Sequence, residues 1–267
     1  MIQNYSEKLS KELSKNSEKT AKIYSFFIKK YLTYLETKSK TAEQAKKEEV
    51  DVYLKSLDNY SYKSQALALS SLKFFYNNII KNAEIMSDIE MPQKSSQEIL
   101  TKDEIKKLID SGQTQKSRLI IFFLYSTGIK VSELVNLKVT DLNLENKIIK
   151  VYKNNKPRQI FLNEKLCQEL KNYIEEKNPN IFLFSKKERP LTTRNIQKII
   201  KNTAKRAEIN KKITPNSLRQ SLAYHLQESG IKTGKIQNML GYSKKSFKEI
   251  AISGEDFENI KSVLNTI

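Results

Sequence analysis

Apolar residues recur at helical spacing through the first part of the chain. Ile23, Phe26, Phe27, Tyr31, Tyr34 and Leu35, with lysines between them, predict an amphipathic helix from Ser17 to about Lys38 with a basic outer face. Val50, Tyr53, Leu54 and Leu57 predict a second helix over Thr41 to Leu57, with Thr41 as its N-cap. A third is expected from Ser61 to Ile80, with Leu67, Leu69, Leu72, Phe75, Tyr76 and Ile79 facing a core. The periodicity fails between Asn82 and Gln97, where Pro92 and the polar run MPQKSSQE appear. The pattern therefore predicts a first domain of three or four helices over residues 1–85, a linker over 86–98 and a second domain over 99–267.

The second domain opens on a capping box, Thr101 followed three residues later by Glu104. Residues Lys147 to Leu162, KIIKVYKNNKPRQIFL, alternate on both sides of Asn154-Asn155 and predict a β-hairpin with a basic tip. Helical spacing returns over Glu164–Lys177, Arg194–Ala207, Ser217–Glu228 and Thr233–Leu240. The chain shows no internal repeat, and the expected fold is mainly α with one small antiparallel sheet.

Charge adds a partner to this picture. Lys and Arg number 48 against 30 Asp and Glu, a net charge of +18 spread along the 267 residues. Such an excess favours a polyanion, because each cation seated on a phosphate releases condensed counterions. One cysteine, Cys167, excludes an internal disulfide framework, and one histidine, His225, leaves no Cys/His set for zinc, so no metal is expected. No stretch approaches the roughly 20 apolar residues of a membrane span, and the start of the chain is polar, which predicts a soluble cytoplasmic protein with no membrane partner.

Five segments in order resemble the tyrosine recombinases and phage-type integrases, particularly their Xer-like members. TYLETKSKTAEQAKKEEVDVYLKSL and SYKSQALALSSLKFFYNNIIKN are similar to that family's core-binding domain. ILTKDEIKKLID and YSTGIKVSELVNLKVTDLNLENKIIKV resemble the opening of its catalytic domain and the segment of its first arginine. SLRQSLAYHLQESGIKTGKIQNMLGYS resembles its most diagnostic stretch. The resemblance implies a helical, SAM-like core-binding domain followed by a mostly helical catalytic-type domain. It also implies double-stranded DNA as partner and a cofactor-free, metal-free phosphoryl transfer in which a tyrosine attacks the scissile phosphate.

Carried over residue by residue, the family's site is altered. Lys130 stands at the first arginine of TGxRxSEL; it keeps the charge but not the planar two-pronged contact. Lys153 aligns with the hairpin lysine of GKGxKxR, with Lys156 its rival and Arg158 following, and Tyr152 and Asn154 replace the flanking glycines. In the HxxR motif Arg219 is retained, and Asn216 replaces a histidine with a group that carries no proton at neutral pH. Tyr242 stands at the second histidine, and nine residues later Ala251 occupies the nucleophile's place, with no tyrosine after Tyr242.

Arg219, Lys153, Lys156, Arg158, Lys130 and Arg194 are the expected DNA contacts, with Arg194 at a helix start. Lys201, Lys205 and Arg206 serve equally as a DNA face or a solvated one. His225 is expected in a packed, structural place. The tail, with Phe257, Ile260, Val263 and Leu264 at helical spacing, implies docking in cis, onto another copy, or onto an active recombinase. Two functions stay open beside a DNA-binding homologue impaired in cleavage: an active recombinase with an unconventional nucleophile, and a general basic nucleic-acid-binding or scaffold protein.

Overall fold

The computed structural model describes residues 2–89, 98–153, 156–186 and 188–241, with side chains left out at 2–4, 153 and 156. The chain divides into two compact units, Met1–Ser96 and Gln97–Ile267.

In the first unit, α1 (Ile2–Leu13), α2 (Glu18–Thr37), α3 (Lys47–Lys55) and α4 (Tyr62–Phe75) surround one core. Ser17 caps α2 by accepting the Thr20 N–H, and Phe27, Ile28, Tyr31, Leu32 and Leu35 form its buried stripe. Ser61 caps α4 in the same way, and α4 runs on as a π-turn, Tyr76–Ile80. Inside the core the hydroxyls of Tyr31 and Tyr76 meet at 2.7 Å, and Tyr76 also donates to the Ala42 carbonyl.

Four expectations change in this unit. The helix α1 escaped the pattern reading, although Tyr5, Leu9 and Leu13 bury one face at four-residue intervals. Thr41 is not an N-cap: its N–H is taken by the Gln44 side chain in a turn, and α3 starts six residues later. Leu67 and Phe26 are exposed rather than in the core. The first core also extends past residue 85, because a 3-10 turn at Glu84–Met86 brings Ile85, Met86 and Ile89 into it.

The second unit is built around α6 (Gln115–Thr127), which carries the run LIIFFLY and is buried from Leu119 through Thr127. A helix apolar on every side needs neighbours on every side. It has α5 (Lys102–Asp110), α8 (Glu164–Lys177), α9 (Thr193–Arg206) and α10 (Pro215–Glu228) packed around it. The capping box of α5 forms as expected, with Glu104 N–H on Thr101 Oγ1 at 3.1 Å and Thr101 N–H on Glu104 Oε2 at 2.8 Å.

A short α7 (Val131–Leu134) leads to a three-stranded antiparallel sheet of β1 (Leu142–Asn143), β2 (Ile148–Lys153) and β3 (Lys156–Phe161). The β2/β3 register runs from Ile148 opposite Phe161 to Lys153 opposite Lys156. The tip residues Asn154 and Asn155 lie outside the described residues. A second, unforeseen pair, β4 (Ser185–Lys186) with β5 (Arg189–Pro190), precedes α9. Finally α11 (Thr233–Leu240) ends on Gly241 in the left-handed conformation.

Candidate nucleic-acid interface

Thr214 caps α10 through the Ser217 N–H, and Pro215 supplies its first turn with a preset backbone angle. Asn216 is exposed in that first turn, among N–H groups that the helix leaves without carbonyl partners. One turn further in, Arg219 is only 3% exposed. Its guanidinium donates to the carbonyls of Gly128, the C-cap of α6, and Leu240, the last residue of α11. A cation there satisfies two helix-end carbonyls and lies at the negative ends of two helix dipoles. The arginine of the HxxR position therefore fastens the C-terminal ends of α6 and α11, both of which pack against α10.

A second arginine fastens the adjoining elements. Arg158 on β3 forms a two-pronged ion pair with Glu133 on α7, at 2.7 and 2.9 Å, with side chains 19% and 6% exposed. The same carboxylate accepts the backbone N–H of Lys130 at 2.9 Å, capping α7. Burial pushes the Glu133 pKa up; the Arg158 guanidinium and the Lys130 amide outweigh it and hold it below the usual carboxylate value.

Arg158 also lies under α11's exit. A Cβ on Gly241 would come within 3.1 Å of Arg158 Nε and 3.2 Å of Cζ, and the φ of +67° is itself unfavourable for other residues. Arg158 Nε is buried without a hydrogen-bond partner among the described residues. Arg158 was expected on DNA; instead its guanidinium is turned inward and committed to Glu133. Two-residue alternation explains this, because Arg158 shares a sheet face with buried Ile160 and stands opposite buried Val151.

The structure thus brings Arg219, Arg158, Glu133, the Lys130 backbone and the Leu240-Gly241 exit into one connected set. Register places positions 153 and 156 on the same hairpin face as Arg158, which does not choose between the two lysines. Arg194 is exposed in the first turn of α9, whose N-cap Thr192 accepts the Asn195 N–H. Lys201 and Lys205 are exposed on α9, whereas Arg206 donates to the Ser111 carbonyl and to Thr203. Tyr242, Ala251 and the tail lie outside the described residues. Among the described residues no His, Cys, Asp and Glu group could hold a metal ion, and no helix is long and apolar enough to cross a membrane.

His225 is buried, its Nδ1 2.8 Å from the Tyr125 hydroxyl, and it also bonds the backbone of Leu100. Burial pushes its pKa down, with Lys102 acting the same way and Glu228 and the Leu100 bond acting against. A histidine depressed in the fold is protonated first in the unfolded chain, so its contribution is complete above the unfolded value of about 6.5 and is lost as pH falls below it. The thermal midpoint of the wild-type chain should therefore drop more between about pH 7.5 and about pH 5 than that of His225→Gln. Parallel curves from circular dichroism would show that His225 does not titrate in this range.

Comparison with known proteins assigns the frame that holds this set. The model of the phage integrase family matches residues 98–250, and that of the phage integrase N-terminal SAM-like domain matches residues 1–84. The tyrosine recombinase XerA of Pyrococcus furiosus is 34% identical over 250 residues, covering 90% of this chain and 85% of its own. The tyrosine recombinase XerD of Staphylococcus haemolyticus is 32% identical over 257 residues, covering 88% and 87%. Among solved structures, XerA recombinase superposes with a TM-score of 0.54 at 27% identity, covering 89% of this chain and 90% of that one. A lambda integrase dimer bound to a COC' core site shares the fold at a TM-score of 0.71 and 18% identity, covering 94% and 98%. With both units matched by family models and relatives above 30% identity along most of its length, the chain belongs to the phage integrase family of tyrosine recombinases.

Proposed function

We propose that this protein binds duplex DNA in a recombination setting and keeps the family's phosphate grip without its strand cleavage. The observation that carries this reading is Ala251 at the nucleophile's place in a chain with no tyrosine beyond Tyr242. A methyl group cannot attack phosphorus. Lys130 and Asn216 point the same way, since one lacks the bidentate fork and the other cannot move a proton at neutral pH.

Binding asks less of the site than cleavage does. Lys130 and Lys153 attract a phosphate, the buried charge of Arg219 acts from behind them while it holds the Gly128 and Leu240 carbonyls, Asn216 and the N–H groups at the start of α10 donate to the phosphate, and Tyr242 supplies a further hydroxyl. Arg194 at the start of α9 and Lys156 add contacts outside that centre, while Arg158 acts through Glu133 rather than on the DNA. Support comes also from the fold neighbours, which include lambda integrase on a core site and XerH bound to a palindromic difH substrate. The apolar positions Phe257, Ile260, Val263 and Leu264 of the tail couple this chain to a second copy or to an active recombinase.

Of the candidates for an unconventional nucleophile, Tyr242, Tyr224 or a nearby serine, Tyr224 is poorly placed. Tyr224 is exposed and hydrogen-bonded to Glu228, whereas Arg219 is buried. Five residues of α-helix turn the two side chains about 140° apart.

The test begins with duplexes selected from a random pool by the wild-type chain. Binding of a selected duplex should exceed binding of random duplex at every salt concentration, and Arg219→Ala should weaken it about tenfold under conditions where circular dichroism shows the variant folded. Equal affinity for selected and random duplexes would instead mark a general basic nucleic-acid binder.

A further inference from the structure

The β2/β3 hairpin has a second face that the phosphate site does not use. Its inner face carries Ile149, Val151 and Ile160 in the core and Arg158 on Glu133. Its outer face, read from the register, runs Ile148 opposite Phe161, Lys150 opposite Gln159, and Tyr152 opposite Pro157. Tyr152 is 54% exposed and Phe161 46%, and Lys150, Gln159 and Pro157 are exposed as well. A single exposed aromatic needs no explanation, but two on one face of one hairpin, with a cation between them, make a patterned surface.

Charge selects the occupant of that surface. From Lys147 to Phe161 the chain holds five cations and no carboxylate. Lys147 is engaged by Glu164 and Arg158 by Glu133, so Lys150 is the described cation on the outer face beside Tyr152. An acidic protein would be drawn by the charge alone. A polyanion whose charges alternate with flat apolar rings and sugar C–H surfaces also matches the order of ring, lysine and ring along the hairpin face. Pro157 opposite Tyr152 lies on an edge strand, where its missing N–H costs no ladder bond, and its ring restricts the backbone under the aromatic.

We propose that Tyr152 is a specificity-determining residue that sets its ring against the sugars and bases of a duplex groove, with Lys150 on the neighbouring phosphate. This deepens the DNA-binding reading and rests on it. Apolar side chains pressed into a groove partly unstack base steps, so the ring favours sequences that deform easily, which are read as energy rather than by hydrogen bonds.

The two contacts have different signatures in salt. A ring contact contributes affinity that does not depend on counterion release, whereas a phosphate contact changes the slope of log K against log salt by about one unit. Wild type, Tyr152→Thr, Tyr152→Phe and Lys150→Ala are titrated as full chains against a duplex selected by the wild type, over a range of salt. Threonine keeps the strand preference without the ring, and phenylalanine keeps the ring without the hydroxyl.

The expected results are affinity about tenfold lower for Tyr152→Thr with an unchanged slope, affinity near wild type for Tyr152→Phe, and a shallower slope for Lys150→Ala. Replacing a flexible pyrimidine–purine step in the selected duplex by a stiff A-tract should narrow the gap between wild type and Tyr152→Thr. Wild type that binds while Tyr152→Thr binds equally well at every salt concentration overturns the role of Tyr152 and leaves the DNA-binding reading standing. A loss for Tyr152→Thr that comes with a changed slope also overturns it, because the contact would then be electrostatic. Wild type that binds no duplex overturns the DNA-binding reading itself.

Discussion

Glu133→Ala is expected to destabilise the second unit by about 3–5 kcal/mol, the cost of leaving one member of a buried ion pair uncompensated. The carboxylate is 6% exposed and holds the Arg158 guanidinium by two hydrogen bonds and the Lys130 amide by a third. Without it, Arg158 keeps a charge that it cannot shed, with Nε already buried and lacking a hydrogen-bond partner among the described residues. Replacing both residues, as in Glu133→Leu with Arg158→Leu, should recover most of the loss, because an apolar pair of similar volume removes the stranded charge. Urea unfolding followed by circular dichroism measures both variants. A loss below about 1 kcal/mol for Glu133→Ala, the value of an exposed pair, would show that water already solvates the guanidinium.

The pH dependence of this pair has a definite sign. The Glu133 pKa is depressed in the fold, so its contribution is complete above the ordinary carboxylate value and is lost as pH falls through the folded one. The variant lacking the carboxylate should therefore lose less stability on acidification than the wild type.

Ala251→Tyr restores the attacking atom but is expected to leave strand cleavage at least about 100-fold below that of an intact family site, because losing one oxyanion donor or one general acid each costs about that much or more. In the proposed site Lys130 would meet a phosphate only as a point charge, and Asn216 cannot carry a proton at neutral pH. The further changes Lys130→Arg and Asn216→His, added to Ala251→Tyr, should raise cleavage stepwise. Efficient cleavage by Ala251→Tyr alone would mean that Lys130 and Asn216 serve the chemistry as well as the residues they replace. Single-turnover cleavage of a selected duplex separates these outcomes.

Long, strongly periodic elements were legible from the residues. The bounds of α8 and α11 match the pattern reading, and those of α9 and α10 differ by no more than two residues at either end. The capping box at Thr101 and the hairpin register about its two-residue tip follow from local chemistry, which is why they could be read.

What was missed has physical reasons. In α1 three apolar residues are diluted among polar ones, so its stripe is narrow. The strands β4 and β5 are two residues long, too short for alternation to show. Glu133 and Arg158 lie 25 residues apart and meet only because α7 and β3 pack together, so no local signal joins them. The resemblance offered Arg219 as a phosphate contact and gave no sign of its hold on Gly128 and Leu240, which depends on where α6 and α11 end.

The central claim is that binding persists where cleavage does not, and it is tested most directly with the unmodified chain on a nicked suicide duplex carrying a selected binding site. The account predicts a retarded, non-covalent complex and no protein–DNA adduct that survives denaturation, and a covalent adduct formed by the wild-type protein would contradict it.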